Sequence, residues 1–485
     1  MLSSQAPRRV LSVFILAMLN VSIMLSLRTL PVVAQWGLSS LFFFFIVGLF
    51  FLLPCALVSA ELATGWPKSG GIYIWVREAF GDRLGFFSIW MQWVHNVAWY
   101  PVILSFVATT FAHITYPELA ENKFYILSVI LVSFWGMTLL NYMGIKISGR
   151  VSSMGAILGT ILPGIFIIGL GAFWIFSGRP GFLTFSSNSF VSQFTSMNSI
   201  VFLAGLFLAF SGLEVSASLA SDVKEPQKNF PKAIALAAIT TFVLLMLGAL
   251  AIAYIFPPNE ISLVAGLMEA FERFLPAFNL SILLPILGGL LIIGALAEVN
   301  SWLISPVKGL HATSLHGNLP PFFQKLNSHG TPTHLLFFQA TIVSITSLIF
   351  LFMPNISSGF WILTVLSAQS YLIMYIIMFL AAIRLRYSKP HVTRAYKIPF
   401  PHKGIWMISS MGIVASVFAI IIGFVPPAHL EMGSPLFYKL FLCGGLLIMC
   451  AIPLIISQVK KPSWFFSLTK AHEEQKHEND KKTPS

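Results

Sequence analysis

Residues Val201 to Lys232 read VFLAGLFLAFSGLEVSASLASDVKEPQKNFPK, and this stretch decides the fold. It begins as an apolar run of the kind that enters a membrane, which Ser211, Gly212 and Glu214 then interrupt. A carboxylate in the middle of an apolar span costs about 2.5 kcal/mol or more, so it is seldom accidental. The glycine frees backbone groups that lipid cannot satisfy but a bound polar ligand can. A helix broken at this depth is the best sequence indication of a transporter's binding site.

The composition indicates a membrane protein. The chain has 485 residues, of which 56% are hydrophobic and only 9% are charged, far fewer charges than a soluble domain carries. Its three cysteines lie within apolar runs, so we expect neither a disulfide framework nor a metal site. No phosphate-binding loop, nucleophile elbow, zinc-protease motif or dinucleotide fingerprint occurs, so we expect neither an enzyme nor a cofactor.

Twelve apolar runs of about 20 residues, the length that crosses a bilayer, occur along the chain. We number them spans 1 to 12: 10–35, 39–60, 86–112, 124–144, 152–177, 198–220, 233–256, 281–305, 334–353, 359–383, 405–425 and 436–457. The predicted fold class is an all-α polytopic membrane protein with twelve transmembrane helices. Residues 1–457 form one transmembrane domain and residues 458–485 form a polar tail. Between spans 2 and 3, residues 65–85 are too polar to cross the membrane and suit a short surface or re-entrant helix.

The distribution of positive charge predicts the orientation. The net charge is +12, which in a soluble protein would suggest nucleic-acid binding. Here, segments on the side of the N-terminus carry 24 Lys and Arg residues, segments on the other side carry 4, and Arg28 lies within the membrane. Because cytoplasmic loops carry the excess of positive charge, both termini are predicted to be cytoplasmic. The basic composition is therefore a topology signal and predicts no nucleic-acid partner.

Span 1 carries a second interruption, NVSIMLSLRTLP, from Asn20 to Pro31. Proline removes a backbone donor and disfavours helix just before it. Two broken helices five spans apart fit an inverted repeat of five helices plus five, at about residues 10–177 and 198–385, with peripheral helices at 405–457. The half-helix that starts near Arg28 would offer N–H groups to a carboxylate. Free carbonyls near Leu208 to Ser211 would face an ammonium group, so the predicted ligand is amino-acid-like.

Arg28, His95, Glu214 and Glu298 lie well inside the spans, and each has two interpretations. Arg28 attracts an anionic group of the substrate or repels a cationic one, or it is a structural partner of Glu214, Glu298 or a carbonyl. Glu214 carries a proton, or it holds the broken helix through hydrogen bonds. Glu298 is likewise a proton site or a link between helices, and His95 is a proton site or a hydrogen-bonded packing residue. Asn96, next to His95, is a candidate substrate ligand.

Several stretches resemble the amino acid–polyamine–organocation superfamily, and within it the bacterial glutamate:γ-aminobutyrate antiporters. They are ELATGWPKSGGIYIWV after span 2, WVHN in span 3, FSGLEVSASLASDVKEPQKNFPKAI in span 6 and GALAEVNSWLISPVKGLHATSLHGNLPPFFQKLNSHGTP in and after span 8. Together with the twelve-span hydropathy they cover the chain from span 1 to span 12. The resemblance implies a LeuT-like bundle in a bacterial inner membrane, working by alternating access and exchanging an external for an internal amino acid.

The resemblance also implies where the substrate binds. Positions that match the substrate grip of relatives at the two breaks are Ser22, Ile23, Leu25, Ser26, Leu208, Phe210, Ser211 and Glu214, and Asn96 and Trp302 match side-pocket and gating positions. The segment from Met24 to Arg28 departs from the small, glycine-rich break of many relatives because it is bulkier and cationic, which disfavours a strongly cationic substrate. The tail is shorter than the tail that plugs the acid-resistance member, so it does not predict the same pH gate.

The sequence therefore predicts an antiporter for neutral or acidic amino acids, as a monomer or homodimer, with the lipid bilayer as its surroundings. A proton-coupled amino acid symporter is the nearest alternative, in which protons become a further partner. An amino acid sensor or a channel is a more distant one. Stimulation of uptake by internal substrate separates exchange from symport. A channel would conduct without saturating, and a sensor would bind without flux.

Overall fold

The computed structural model describes residues 12–68, 70–143, 152, 154–183, 200–217, 223–257, 260–400, 402–428 and 430–465. The N-terminal Arg8 and Arg9, the loop between spans 4 and 5 with Lys146 and Arg150, and the predicted tail beyond residue 465 lie outside the described residues. The described part is helical and contains no strand. The chain is an all-α, multi-pass membrane protein.

Eleven helices in the described part are long and apolar enough to cross a membrane, and they match every predicted span except span 6. They are Val13–Ala34, Gly37–Gly65, Asp82–Thr115, Lys123–Tyr142, Met154–Phe176, Gln227–Ile255, Ser281–Leu315, Thr333–Phe352, Ile356–Ser388, Lys403–Ile422 and Pro435–Val459. Span 6 differs because its helix, Leu203–Ala209, is only 7 residues long. It stops at the interruption that the sequence predicts.

Span 1 is divided in the same way. Its first helix is Val13–Met24, Leu25 and Ser26 are extended, a 3₁₀ turn covers Leu27–Thr29, and a short helix follows at Leu30–Ala34. Pro31 lies in the first turn of that short helix, where its missing N–H does not disturb the hydrogen-bond pattern. The proline therefore starts the second half of the span and does not kink it.

Span 3 is the central helix. Asp82–Thr115 contains 34 residues, about 51 Å at 1.5 Å per residue, which exceeds the thickness of a hydrocarbon core. It packs against spans 8 and 10, and 83% of its most apolar stretch is buried, compared with 17% for span 12. Spans 1, 3, 6, 8 and 10 thus surround the interior, and span 12 is peripheral.

The predicted short helix between spans 2 and 3 is Ile72–Phe80. It lies between Gly71 and Gly81, whose positive φ angles of 48° and 89° favour glycine. Asp82, at the start of span 3, forms a 2.6 Å salt bridge with Arg77. Lys460, just after span 12, lies 3.6 Å from the same carboxylate and donates to the Asn318 side chain at 2.9 Å. These contacts fasten the described start of the tail to the ends of spans 3 and 8.

A buried ion cluster joins spans 2 and 10 to the loop that follows span 10. Glu61 accepts from Arg386 Nε and from the Ile398 N–H, each at 2.9 Å, and Arg394 Nε lies 3.6 Å away. Burial lowers the pKa of Arg394, and the charge of Glu61 opposes that change. One carboxylate therefore compensates two buried guanidinium groups.

We expect Glu61→Gln to destabilise the fold by about 3 kcal/mol, because it leaves two buried arginines without a counter-charge. Thermal unfolding of the purified protein in detergent measures this loss. Glu225→Gln is the matched control, since Glu225 pairs with Lys228 at 2.8 Å on the exposed surface and should not change the unfolding temperature measurably. Equal unfolding temperatures for both variants would contradict a structural role of the cluster.

Candidate functional site

A small cavity of about 20 Å³ lies between spans 1, 3, 6, 8 and 10. Its lining residues are Ile23, Met24, Ser26, Arg28, Thr29, His95, Trp99, Leu208, Ala209, Ser211, Glu298, Trp302 and Tyr371. That volume holds about one water molecule, so the site is closed in this conformation and must widen to admit an amino acid, and both helix breaks border it. A second cavity of about 10 Å³ also touches Ser26, Arg28 and Glu298. These three residues therefore line both cavities.

The break in span 6 depends on Gly212. Its φ of +111° lies in a region that side-chain-bearing residues rarely adopt, and a Cβ would lie 2.9 Å from Ile23 and 3.2 Å from Trp302. The Gly212 N–H donates to the Tyr375 hydroxyl at 2.6 Å. At the break in span 1, the Ile23 carbonyl accepts from Trp302 Nε1 at 3.1 Å. Side chains of spans 8 and 10 thus satisfy backbone groups that the breaks release.

Glu214 holds the broken helix of span 6 in place. Gln92 Nε2 donates to its carboxylate at 2.9 Å, and the hydroxyls of Tyr371 and Tyr375 also donate to it. Tyr375 therefore connects this carboxylate to the N–H of Gly212. Glu214 is buried and does not line the cavity. These hydrogen bonds are of the kind that the structural interpretation expects, and a role of Glu214 in carrying a proton stays a prediction.

His95 contacts both the cavity and the network around Glu214. Its Nδ1 lies 3.1 Å from the Ser367 hydroxyl, and its ring stacks on Tyr371 with 3.9 Å between ring centroids. The edge of the ring meets Trp302 at 5.2 Å. His95 Nε2 is buried without a hydrogen-bond partner. Since His95 lines the cavity, this nitrogen can form a hydrogen bond with a polar ligand.

Arg28 and Glu298 face the same two cavities. The guanidinium carbon of Arg28 lies 5.6 Å from the centroid of Trp99 and 5.8 Å from that of Phe360, and its Nε has no hydrogen-bond partner. Glu298 is the nearby opposite charge, with the Ser26 hydroxyl beside it. Salt bridges in the described part of the chain include the arginines 77, 386 and 394 but not Arg28. The predicted partnership with Glu214 is not formed, since that carboxylate binds Gln92 and two tyrosines.

Two predicted residues of span 1 lie beside the cavity without lining it. The Ser22 hydroxyl is 3.4 Å from that of Ser301, which connects span 1 to span 8. Leu25 is completely buried in the core. Both residues therefore pack against neighbouring parts of the protein at the break and do not face the cavity.

Asn96 and Phe210 are also outside the cavity lining. Asn96 Nδ2 donates to the Gln92 carbonyl in its own helix at 3.1 Å, and its Oδ1 is buried without a partner. Phe210 packs against Phe44 and Phe242, with ring centroids 5.5 and 5.9 Å away. The other predicted substrate positions, Ile23, Ser26, Arg28, Leu208, Ser211 and Trp302, do line it.

Several lining residues were not among the predicted site residues, chiefly Trp99 and Tyr371. A signal for both exists in the sequence. Trp99 follows His95 by four residues, and Ser367, Tyr371 and Tyr375 recur at the same spacing in span 10. Residues four apart share one face of a helix, so a stripe of polar and aromatic residues on a buried span could have revealed them.

The model of the amino acid permease family matches residues 10–447. An uncharacterised transporter of Legionella pneumophila is 41% identical over 96% of this chain and 98% of its own length. A glutamate/γ-aminobutyrate antiporter of Lactococcus lactis is 29% identical over 93% of this chain and 90% of its own length. Both similarities extend across the breaks, the cavity and the surrounding spans.

We expect Gly212→Ala to lower substrate uptake by about tenfold or more, because a Cβ strains the backbone and collides with Ile23 and Trp302. Uptake per amount of reconstituted protein measures the effect. Gly289→Ala in span 8 is the matched control, since a Cβ there meets nothing within 4 Å. Undiminished uptake by the Gly212 variant would mean that the break tolerates a different backbone conformation.

Proposed function

Since the chain belongs to the amino acid permease family, we propose that it is an antiporter that exchanges external for internal amino acids by alternating access. The family is one of transporters, and its members act on small-molecule amino acid substrates. One observation carries the proposal: the two helix breaks border a single cavity that contains a buried cation, Arg28.

The cavity suits a zwitterion because one helix break offers backbone N–H donors and the other offers carbonyl acceptors. Leu27 and Arg28 begin a helical turn, so their N–H groups have no preceding carbonyl in that turn and can bind a carboxylate. The helix Leu203–Ala209 also ends at the cavity, where the carbonyl of Ala209 can accept from an ammonium group. The carbonyls of Phe207 and Leu208 already accept from Ser211. Ser26 and Ser211 add hydroxyls at the two breaks.

The proposed substrates are neutral or acidic amino acids of the glutamate or γ-aminobutyrate kind. Arg28 attracts an anionic group and repels a cationic side chain at short range, where low polarity strengthens both effects. The name of the Lactococcus lactis relative, a glutamate/γ-aminobutyrate antiporter, supports the same substrate class. His95 Nε2, with its free hydrogen-bonding capacity, would contribute to binding.

Trp302 is the proposed gate. Its indole N–H donates to the Ile23 carbonyl, and its ring lies 5.8 Å from that of Trp99. These contacts close the cavity between spans 1 and 8. A movement of span 1 against span 8 would break the hydrogen bond and open the cavity to one side of the membrane, as alternating access requires.

The proposed architecture is a LeuT-like inverted repeat of about residues 10–177 and 198–385, with peripheral helices at 405–457 and a cytoplasmic tail at 458–485. The breaks in spans 1 and 6 occupy corresponding positions of the two repeats, which supports this assignment. The excess of Lys and Arg on one side supports a bacterial inner-membrane protein with both termini in the cytoplasm. It would act as a monomer or homodimer.

A proton-coupled amino acid symporter is the second candidate. The observation that favours it is Glu298, a buried carboxylate that lines both cavities and forms no salt bridge among the described residues. Such a group can take up a proton together with a substrate. Glu214 and His95 are weaker proton candidates because each already has defined hydrogen-bond partners.

We expect proteoliposomes to take up labelled glutamate and γ-aminobutyrate only when they contain an unlabelled amino acid substrate. An antiporter reorients with a substrate bound, so internal substrate must leave before external substrate enters. The measurement is uptake with and without internal substrate, at acidic and neutral pH. Liposomes without the protein are the control. Uptake into unloaded vesicles driven by an imposed proton gradient would replace exchange with symport. Saturable binding without flux would indicate a sensor.

We expect Arg28→Ala to reduce glutamate uptake about tenfold more than uptake of its neutral isostere glutamine, because only glutamate loses a charge-assisted contact. Competition between the two labelled amino acids in proteoliposomes measures the ratio. Arg179→Ala is the matched control, since Arg179 lies outside the cavity and donates to the Ala277 carbonyl at 2.6 Å. Equal losses for the two amino acids would reduce Arg28 to a structural residue.

A further inference from the structure

Arg28 is a buried arginine that lies beside two aromatic rings at the cavity. Its guanidinium lies over Trp99 at 5.6 Å and over Phe360 at 5.8 Å, both within the reach of a cation–π interaction. Trp99 belongs to span 3 and Phe360 to span 10, and both rings are buried. Two helices that surround the cavity therefore hold the cation.

The rings stabilise the charge without using its hydrogen-bond donors. A guanidinium has five N–H donors, and a carboxylate partner would engage two of them in a bidentate pair. A ring face attracts the cation through its quadrupole and leaves those donors available to another acceptor. The unpartnered Nε of Arg28 fits this description. Arg386 is the contrast, because Glu61 occupies its Nε and Nη2.

Glu298 does not take the place of the rings. It lies on the same cavities as Arg28, yet it forms no salt bridge with it. If Arg28 and Glu298 formed a salt bridge, the carboxylate of an acidic substrate would have to displace that of Glu298 from Arg28. With the rings as its immediate surroundings, Arg28 can accept a carboxylate without first losing a partner.

We propose that Trp99 and Phe360 form an aromatic clamp that positions Arg28 as the receptor for an anionic side chain, and so determine the preference for acidic over neutral amino acids. This inference rests on the proposed function. Both rings are positioning residues, because they act on the substrate through Arg28.

Arg179 also lies between two aromatic rings, but away from the cavity. It therefore provides a control that separates the loss of a cation–π contact from a change at the site. Arg179 lies 5.0 Å from the ring centroids of both Trp174 and Phe278. It lies outside the cavity, and its Nη2 is engaged by the Ala277 carbonyl. Loss of an aromatic ring at this second clamp removes a cation–π contact without touching the site.

The experiment compares Trp99→Leu and Phe360→Leu with Trp99→Tyr and Phe360→Tyr, which keep an aromatic ring. Trp174→Leu is the matched control. Labelled glutamate and glutamine compete for uptake into proteoliposomes preloaded with substrate, and the uptake ratio is measured for each variant. Each variant is also combined with Arg28→Ala. Thermal unfolding in detergent identifies variants that fail to fold. Because Trp99 and Phe360 lie on different helices, variants at one position still test the clamp if those at the other fail to fold.

We expect each leucine variant to lower the glutamate-to-glutamine ratio by roughly 3- to 10-fold, the effect of one cation–π contact. The tyrosine variants should restore most of the ratio, and Trp174→Leu should leave it unchanged. In the Arg28→Ala background the leucine substitutions should lower the ratio no further, because the clamp acts only through Arg28.

Two results would overturn the clamp. One is a leucine variant in which total uptake falls while the ratio stays constant, since the rings would then be packing residues. The other is a further fall of the ratio in the Arg28→Ala background, since the rings would then select the substrate directly. The wild-type protein tests the proposed function separately: absence of glutamate exchange there would refute the proposed function, whereas an unchanged ratio in the variants refutes only the clamp.

Discussion

A free backbone N–H or carbonyl cannot remain unsatisfied in lipid, and this constraint governs the whole interior of the protein. Two broken helices can exist here because other spans supply the missing partners. Tyr375 receives the N–H of Gly212, and Trp302 donates to the carbonyl of Ile23. Glu214 in turn accepts hydrogen bonds from Tyr375 and from the neighbouring Tyr371, which fixes both rings. The cavity is a consequence of this arrangement, because the chain leaves a space where two helices end.

The same low polarity explains how the protein treats its buried arginines. Arg386 and Arg394 share the carboxylate of Glu61, which makes them part of the scaffold that joins spans 2 and 10. Arg28 lies among aromatic rings at the cavity, with Glu298 as the nearby opposite charge. A paired arginine stabilises a fixed arrangement, whereas one with free donors can bind a ligand. Location and pairing together are the grounds on which we propose Arg28, and not Arg386 or Arg394, as the cation that binds the substrate.

Eleven of the twelve predicted spans correspond to helices of membrane-crossing length in the described part of the chain, because membrane insertion depends on local length and polarity, which can be read along the chain. Both breaks were predicted for a similar reason, since proline, glycine and charge within an apolar run act on nearby backbone. The lining of the cavity was predicted less completely. Trp99 and Tyr371 belong to it, but aromatic residues in a membrane protein pack in the core by default. Whether such a ring faces a cavity depends on how its helix is rotated, which neighbouring helices determine.

Sequence alone determined that the chain crosses the membrane many times, where spans 1 and 6 break, and that Arg28, His95, Glu214 and Glu298 are buried, because each of these follows from residues close together in the chain. Only the tertiary structure decided which of those residues meet. Glu214 bonds to Gln92, Tyr371 and Tyr375, which lie 122 or more positions away, and so it supports the break from outside the cavity. Arg28 meets rings from spans 3 and 10. Contacts between distant segments arise from helix packing, which the order of residues along one helix does not specify.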